Sequence, residues 1–200
     1  LKGSVVKLAI IDTKCANLAS LKFALDRLGF QSVISSSVSE LEKADKLFLP
    51  GVGTAGKAMA NLENLGLTAF IKNTTKPLLG ICLGMQILGE FSQELSQKTL
   101  GVMPFEVRKF KERAGFTLPH MGWNDISILR ENALFAGLNG AYFYFVHSFC
   151  VALNEFTLAE CEYCEPFSAA LMKDNFFGVQ FHPERSGEAG EILLQNFVKM

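Results

Sequence analysis

The chain has 200 residues, of which 49% are hydrophobic and 18 are phenylalanine, so it can bury a substantial core. We expect one domain over residues 1–200. The net charge of −1 gives no electrostatic reason to expect nucleic acid or an anionic membrane as a partner, whereas small neutral or zwitterionic substrates fit this composition.

The five cysteines are odd in number and scattered along the sequence. We recognise no secretory leader and no apolar run of about 18 residues, so we expect a reducing, cytoplasmic environment. Cys161 and Cys164 form a Cys-x-x-Cys pair, but no second pair at zinc-ligand spacing accompanies them, and Thr157 to Tyr163 is a predicted strand. We interpret both, together with Cys15 and Cys150, as structural.

The first half of the chain alternates predicted strands and helices. Val5 to Ile11 is an apolar run broken only by one lysine, typical of a strand covered on both faces, and we expect it at the centre of a sheet. Asn17 can cap a helix whose leucines recur at three- and four-residue intervals, and Gly29 ends it. Two further strands are predicted, at Phe30 to Ile34 and at Lys46 to Leu49.

Helices are predicted at Ser39 to Ala44 and over residues 57–74. The alternation predicts an α/β fold: right-handed βαβ units with a mostly parallel sheet flanked by helices. In such sheets chemistry lies beyond the carboxyl ends of the strands. The loop Gly51-Val52-Gly53 follows the third strand and should therefore lie at that edge.

The segment from Pro77 to Phe91 carries the clearest chemical signal. Leu78 to Ile81 is a predicted buried strand, and the apolar residues after Cys82 recur at helical spacing. Gly80 and Gly84 flank Cys82 two positions away on either side, the spacing of a Gly-x-Ser-x-Gly nucleophile elbow with sulfur in place of oxygen. The glycine spacing alone fits an attacking cysteine and a buried structural cysteine equally well.

An elbow has two chemical consequences. The sulfur of Cys82 would stand at a helix N-terminus, where the helix dipole favours the thiolate. The backbone N–H of Leu83 would be free to bind an oxyanion.

The second half of the chain predicts an antiparallel extension, because short β-like runs between Gly101 and Lys173 are separated by Gly, Pro and Asn. These runs are Val107 to Phe110, Asn124 to Ile128, Ala141 to His147, Thr157 to Tyr163 and Ala169 to Lys173. A last strand, Phe176 to Phe181, precedes a final helix that Ser186 is expected to cap.

Three histidines are candidates for the base that a thiolate needs. His182 has the best context, because it leaves a strand and Glu184 follows two residues later, able to orient the imidazole as the third group of a triad. We interpret His147 as a strand histidine held by hydrogen bonds. His120 precedes Met121-Gly122-Trp123 and marks either a loop anchored by an aromatic residue or a surface that faces a partner.

Gly80-Ile81-Cys82-Leu83-Gly84-Met85-Gln86 together with His182-Pro183-Glu184 resembles the class I, triad-type glutamine amidotransferases over essentially the whole chain. Other segments narrow the resemblance to glutaminase subunits of imidazole glycerol phosphate synthases, of histidine biosynthesis. They are Ile11-Asp12 through Ala16-Asn17-Leu18, Gly51-Val52-Gly53, Pro119-His120-Met121-Gly122-Trp123-Asn124 and Phe145-Val146-His147-Ser148. Anthranilate-type and pyridoxal-phosphate-type subunits, a free-standing cysteine hydrolase, and a binding module without catalysis are the alternatives.

The resemblance implies a site and a partner. Cys82, His182 and Glu184 would be catalytic and would release ammonia from L-glutamine without a cofactor or a metal. Oxyanion and substrate contacts would come from a second set of residues: Leu83, Val52, Gly53, Gln86, Ser148 and Phe149. A (β/α)₈-barrel cyclase subunit would cover the active-site mouth, bordered by loops carrying His120, Trp123 and Arg185.

One position departs from the family pattern. Lys14 stands where the family usually has a glycine, so a positive φ there would strain the loop.

Overall fold

The structure is a computed structural model that describes residues 6–14 and 16–200. The interpretation of Cys15 as structural, and the start of the first predicted strand at Val5, lie outside the described residues.

The described chain alternates strands and helices up to residue 86 and is mostly β from there to residue 179. In chain order the strands are β1 Leu8–Ile11, β2 Ser32–Ser35, β3 Lys46–Gly51, β4 Leu78–Cys82, β5 Phe91–Ser92, β6 Gln97–Lys98, β7 Glu106–Lys109, β8 His120–Asp125, β9 Ser127–Ile128, β10 Tyr142–His147, β11 Phe149–Val151, β12 Thr157–Glu162, β13 Pro166–Lys173 and β14 Phe176–Val179. The α-helices are α1 Leu18–Arg27, α2 Val38–Leu41, α3 Ala55–Asn64, α4 Leu67–Asn73, α5 Leu83–Gln86 and α6 Gly187–Lys199. Short 3₁₀ turns occupy Glu94–Ser96, Ala133–Phe135 and Pro183–Arg185.

Eight strands form the main sheet, in the order β2-β1-β3-β4-β14-β13-β12-β9. The pairings from β2 to β14 are parallel, and those from β14 to β9 are antiparallel. This confirms the predicted mostly parallel sheet with an antiparallel extension. The expectation that the first strand is central was wrong, because β1 is second from the edge and β4 lies between β3 and β14.

Helices cover both faces of this sheet, as the βαβ pattern predicted. Leu8 and Ile10 of β1 belong to one buried cluster, and Ala9 and Ile11, which point the other way, belong to a second. The first cluster includes apolar residues of α1 and α6, and the second includes those of α3 and α4.

Local sequence signals account for the helix ends. The side chain of Asn17 accepts a hydrogen bond from the backbone N–H of Ser20 and caps α1, and Gly29 follows the helix at φ 80°. The single helix predicted for residues 57–74 is two helices, because Gly66 adopts a left-handed conformation (φ 66°) between α3 and α4.

Two smaller sheets accompany the main one. β10 pairs with β8 in a two-stranded sheet, and β11, β7, β5 and β6 form a four-stranded one. The strand predicted at Asn124 to Ile128 is part of two strands, β8 and β9, that Ile126 separates. Along the described residues, none of the helices has the length and apolar character needed to span a membrane.

Candidate active site

Cys82 ends β4 in a strained conformation, with φ 54° and ψ −112°. Positive φ in a residue with a side chain is uncommon and is typical of a nucleophile elbow. The predicted turn is therefore present. It places the Cys82 side chain, which is 8% exposed, at the carboxyl edge of the sheet. The Gly51 loop lies at the same edge, since Gly51 pairs with Cys82 in the β3-β4 register.

Glycines let the backbone segments of this elbow approach one another. A Cβ atom on Gly80 would lie 2.8 Å from the carbonyl carbon and oxygen of Gly84, and one on Gly51 would lie 2.9 Å from the Gly84 nitrogen. A Cβ on Gly84 would overlap the carbonyl oxygen of Leu49 in β3. The glycine spacing read from the sequence thus has a steric cause.

The helix after Cys82 is shorter than predicted. α5 ends at Gln86 after four residues, and Phe91, expected on the same helix, begins strand β5. One helical turn has a small dipole, so stabilisation of a Cys82 thiolate has to come mainly from charged neighbours.

His182 provides such a charge. Its Nδ1 lies 2.8 Å from Glu184 Oε1, and the His182 and Glu184 side chains are 6% and 9% exposed. Burial lowers the pKa of His182, but the neighbouring Cys82 sulfur and the Glu184 carboxylate outweigh it and raise that pKa from 6.5 to about 10. The imidazole is therefore a cation at neutral pH.

The loop that carries His182 is tied to β10. The backbone N–H of His182 donates to the Tyr144 carbonyl (2.9 Å), and the Ser186 hydroxyl donates to the His182 carbonyl (2.6 Å) and accepts from the Tyr144 N–H (3.0 Å). Ser186 occupies the N-cap position of α6, as predicted, but its side chain holds this loop and makes no capping hydrogen bond to the helix.

Two buried polar atoms of the site have no hydrogen-bond partner among the described residues: His182 Nε2 and Glu184 Oε2. The Cys82 sulfur lies 3.9 Å from the Val146 carbonyl oxygen and accepts from Gln180 Nε2 at 3.7 Å. His182 and Cys82 line the same cavity, so Nε2 is available for proton transfer there.

This cavity has a volume of about 320 Å³. All six predicted oxyanion or substrate residues line it: Val52, Gly53, Leu83, Gln86, Ser148 and Phe149. A more open cavity of about 570 Å³ lies at the amino ends of β1 and β2, and its lining residues include no cysteine or histidine. The predicted site residues therefore gather around the smaller cavity.

Gln86 and Glu94 bring different polar groups to the cavity. Gln86 Nε2 donates to the Phe149 carbonyl (3.0 Å) and to Gln180 Oε1 (2.9 Å), which uses both of its hydrogens and leaves Oε1 as an acceptor. Glu94 was missed by the sequence reasoning, since it stands in an irregular segment without a motif. Its Oε2 accepts from the backbone N–H of Ala55 at 2.7 Å.

The three predicted partner-facing residues are not equivalent. His120 is buried and begins strand β8, so its expected position on an exposed loop was wrong. Trp123 also lies on β8 rather than in a loop, but it is 56% exposed. The Trp123 ring packs edge-on against Tyr144, with the ring centroids 6.2 Å apart. The exposed Arg185 guanidinium lies over the Tyr144 ring, 5.4 Å from its centroid.

The other described cysteines are buried and free. Burial raises the pKa of Cys150 and of Cys161 to about 12 and also raises that of Cys164. These thiols are protonated at neutral pH, in agreement with a structural role. Within residues 6–14 and 16–200, no three His, Cys, Asp or Glu side chains come together as metal ligands would.

Lys14, which stands where the family usually has a glycine, adopts a positive φ of 57°. Its backbone N–H donates to Asp12 Oδ1 at 2.9 Å, and its amine contacts Asp12 Oδ2. These contacts offset the strain of a left-handed lysine.

Comparison with known proteins gives consistent results. Residues 9–200 match the family model described as Glutamine amidotransferase class-I. The chain is 66% identical over 194 residues to imidazole glycerol phosphate synthase subunit HisH 2 of Campylobacter jejuni, covering 97% of this chain and 98% of the relative. It is 52% identical over 201 residues to imidazole glycerol phosphate synthase subunit HisH of Vibrio parahaemolyticus, covering 97% of this chain and 98% of that relative.

Solved structures agree in fold. A glutamine amidotransferase superposes with a TM-score of 0.74 at 18% identity, covering 96% of this chain and 97% of that one. PurLQS from Thermotoga maritima superposes with a TM-score of 0.73 at 17% identity, covering 97% and 98%.

Proposed function

The chain belongs to the class I glutamine amidotransferase family, and from this premise we propose that Cys82, His182 and Glu184 are the triad with which it hydrolyses glutamine. The function supported best is that of the glutaminase subunit of imidazole glycerol phosphate synthase, in histidine biosynthesis. The observation that carries it is the 66% identity to a HisH subunit over nearly the full length of both chains.

The first half of the reaction is attack by sulfur. The Cys82 thiolate adds to the carbon of the glutamine side-chain amide, and the carbonyl oxygen becomes an oxyanion. The backbone N–H of Leu83 and one N–H from Val52 or Gly53 bind this oxyanion, since both segments line the cavity beside the sulfur. The oxyanion then collapses to a thioester on Cys82 as the C–N bond breaks, and the imidazolium of His182 gives its Nε2 proton to the leaving nitrogen, which departs as ammonia.

The second half releases glutamate. The neutral imidazole of His182 takes a proton from water, and the hydroxide attacks the thioester carbon. The C–S bond breaks, and Cys82 is regenerated as the thiolate beside the imidazolium. Glu184 holds Nδ1 at 2.8 Å throughout, so Nε2 faces the reacting atoms.

The polar wall of the cavity suits the amino-acid end of glutamine. Its ammonium group needs acceptors, and Gln86 Oε1 and the Glu94 carboxylate supply them on the cavity lining. We include Glu94 in the substrate site for this reason, together with the Ser148 and Phe149 backbone.

Ammonia has to reach an acceptor before it gains a proton from water, so a partner should cover the cavity mouth. A (β/α)₈-barrel cyclase subunit is the partner we propose. The exposed Trp123 and Arg185 both pack against the partly buried Tyr144, close to the His182 loop, and these three residues are the proposed anchors. His120 is not among them, because it is buried.

Two assays test this function. Glutamate release is measured with and without the cyclase subunit and its ribonucleotide ligand, and stimulation by both is expected. A glutamine analogue with an electrophilic side chain should label one cysteine, Cys82. The Cys82→Ala variant should remain folded, should not be labelled by the analogue and should not hydrolyse glutamine. Label on Cys150, Cys161 or Cys164 in peptide maps would overturn the assignment of the nucleophile.

A further inference from the structure

A pair of buried histidines lies at the wall of the substrate cavity, which His147 lines and His120 backs. His120 is 3% exposed and His147 is 6% exposed. The two residues face each other across the β8-β10 register, with His120 Nδ1 3.0 Å from His147 Nε2. Neither ring takes part in the proposed chemistry, yet His147 lines the cavity together with Ser148 and Phe149, which follow it in the chain.

The neighbours of the pair decide where its protons are. His147 Nδ1 lies 2.8 Å from the Phe149 carbonyl, which can only accept, so Nδ1 carries a hydrogen. Burial lowers the pKa of His147 to about 3 and that of His120 to about 4. Each imidazole is therefore neutral at pH 7 and carries one N–H. His147 Nε2 is then an acceptor, and His120 Nδ1 has to be the donor.

The His120 ring is held in the orientation that this bond requires. The His120 ring is stacked between two aromatic rings. The Tyr163 centroid is 4.1 Å away with an interplanar angle of 18°, and the Phe145 centroid is 4.8 Å away with an interplanar angle of 22°. The far nitrogen, Nε2, lies 3.5 Å from Asn124 Nδ2, a donor. Stacking fixes the ring plane, and the Asn124 amide favours the tautomer with its hydrogen on Nδ1.

The hydrogen bonds extend from His147 to the backbone of the cavity wall. The Phe149 carbonyl accepts from His147 Nδ1 and from Gln86 Nε2, so both of its lone pairs are used. The Ser148 carbonyl accepts from the Phe110 N–H at 3.2 Å. The conformation of residues 148–149 thus depends on which nitrogen of His147 carries the proton, because the other tautomer would set a lone pair against the carbonyl.

We propose that His120 is a positioning residue for glutamine binding: by donating Nδ1–H to His147, it keeps His147 in the tautomer that anchors the Phe149 carbonyl and so shapes the substrate wall. This inference rests on the proposed function, since the ligand is glutamine. His120 touches no reacting atom, and its effect should appear in substrate binding rather than in the reactivity of sulfur.

Two substitutions separate the hydrogen bond from the packing. His120→Phe keeps an aromatic ring between Tyr163 and Phe145 but removes the Nδ1 donor. His120→Asn removes most of the ring but keeps an amide N–H close to the position of Nδ1. The proposal predicts that the phenylalanine variant is the more damaged in binding, whereas a packing role predicts the reverse order.

The measurement is the kinetics of Cys82 labelling by the electrophilic glutamine analogue, which separates binding (KI) from the rate of alkylation (kinact) in the subunit alone. For His120→Phe we expect KI to rise about tenfold, the loss of one hydrogen bond, with kinact nearly unchanged. For His120→Asn we expect KI to stay within about threefold of the wild type. An unchanged KI in His120→Phe, or a larger rise in His120→Asn, would overturn the proposal.

A second measurement needs no variant and covers the case that a substitution prevents folding. The ¹⁵N chemical shifts of the imidazoles report the tautomer, and we expect His147 to carry hydrogen only on Nδ1 between pH 5 and 8 (about two to five units above its pKa). Hydrogen on Nε2 would exclude the proposal. If the wild type is not labelled and releases no glutamate, the proposed function fails, whereas the tautomer result stands separately.

Discussion

His182 makes stability depend on pH. Its pKa in the folded protein is about 10, above the value of 6.5 that it has when unfolded. The favourable interaction of the imidazolium with Cys82 and Glu184 is therefore complete below pH 6.5 and is lost as the pH rises through 10. We expect the free energy of unfolding, measured in urea, to fall across this window.

The matched variant is His182→Asn, which removes the titrating group. The difference in unfolding free energy between wild type and variant should shrink between pH 6.5 and 10. A constant difference over this window would mean that the imidazole is not held as a cation.

Glu94 permits a test of the substrate wall at a single residue. Glu94→Gln keeps an acceptor for the Ala55 N–H but removes the charge. We expect the KM for glutamine to rise about tenfold or more, the worth of a charge-assisted hydrogen bond, with little change in kcat. Glu90→Gln, an exposed acid on the same segment, is the control and should leave KM unchanged. An unchanged KM in Glu94→Gln would remove Glu94 from the site.

At the scale of elements, the elbow depends on close backbone contact. A methyl group on Gly84 would overlap the Leu49 carbonyl oxygen, so Gly84→Ala has to move α5 away from β3. We expect kcat/KM to fall on the order of 10²-fold or more, as on loss of an oxyanion donor. The melting temperature should fall as well.

Gly56→Ala is the control for this substitution, because its Cβ would meet only the flexible Gln97 side chain, at 3.3 Å. Alanine in helix α3 should be neutral or stabilising by up to about 1 kcal/mol. Titration of reactive Cys82 with the analogue corrects both variants for unfolded protein. Normal kcat/KM per folded molecule in Gly84→Ala would mean that the elbow tolerates the shift.

Sequence patterns predicted the elements that have a local cause. The elbow follows from two glycines around Cys82, and the pairing of His182 with Glu184 follows from their spacing after a strand. The length of α5 could not be predicted, because apolar periodicity continues past Gln86 while the chain turns into the four-stranded sheet. Tertiary packing overrode the periodicity there.

The residues that escaped prediction depend on distant segments. Glu94 reaches the cavity because its turn packs against the start of α3, a contact across 39 positions. His120 was taken for an exposed residue, since its burial depends on Phe145 of β10 and on Tyr163, which directly follows β12. No local pattern carries such information.

At the scale of the molecule, the sheet sets which surface a partner can reach. The carboxyl edge holds Cys82, and the β8-β10 pair lies beside the His182 loop, to which Tyr144 bonds. Strand alternation sends Phe143 and Phe145 into the core and leaves Trp123 outward, beside Tyr144. A large exposed aromatic residue near the cavity mouth is the kind of anchor that dominates binding energies.

We therefore expect Trp123→Ala to weaken association with the cyclase subunit by about 2 kcal/mol or more, roughly a thirtyfold rise in Kd. The melting temperature of the subunit alone should change little, because the indole is 56% exposed. Phe23→Ala, an aromatic residue 61% exposed on α1, is the control for loss of exposed apolar surface and should bind normally. Calorimetric titration and ligand-stimulated glutamine hydrolysis measure the two effects. Normal binding by Trp123→Ala, with a sharp loss of thermal stability, would place Trp123 in the fold rather than at the interface.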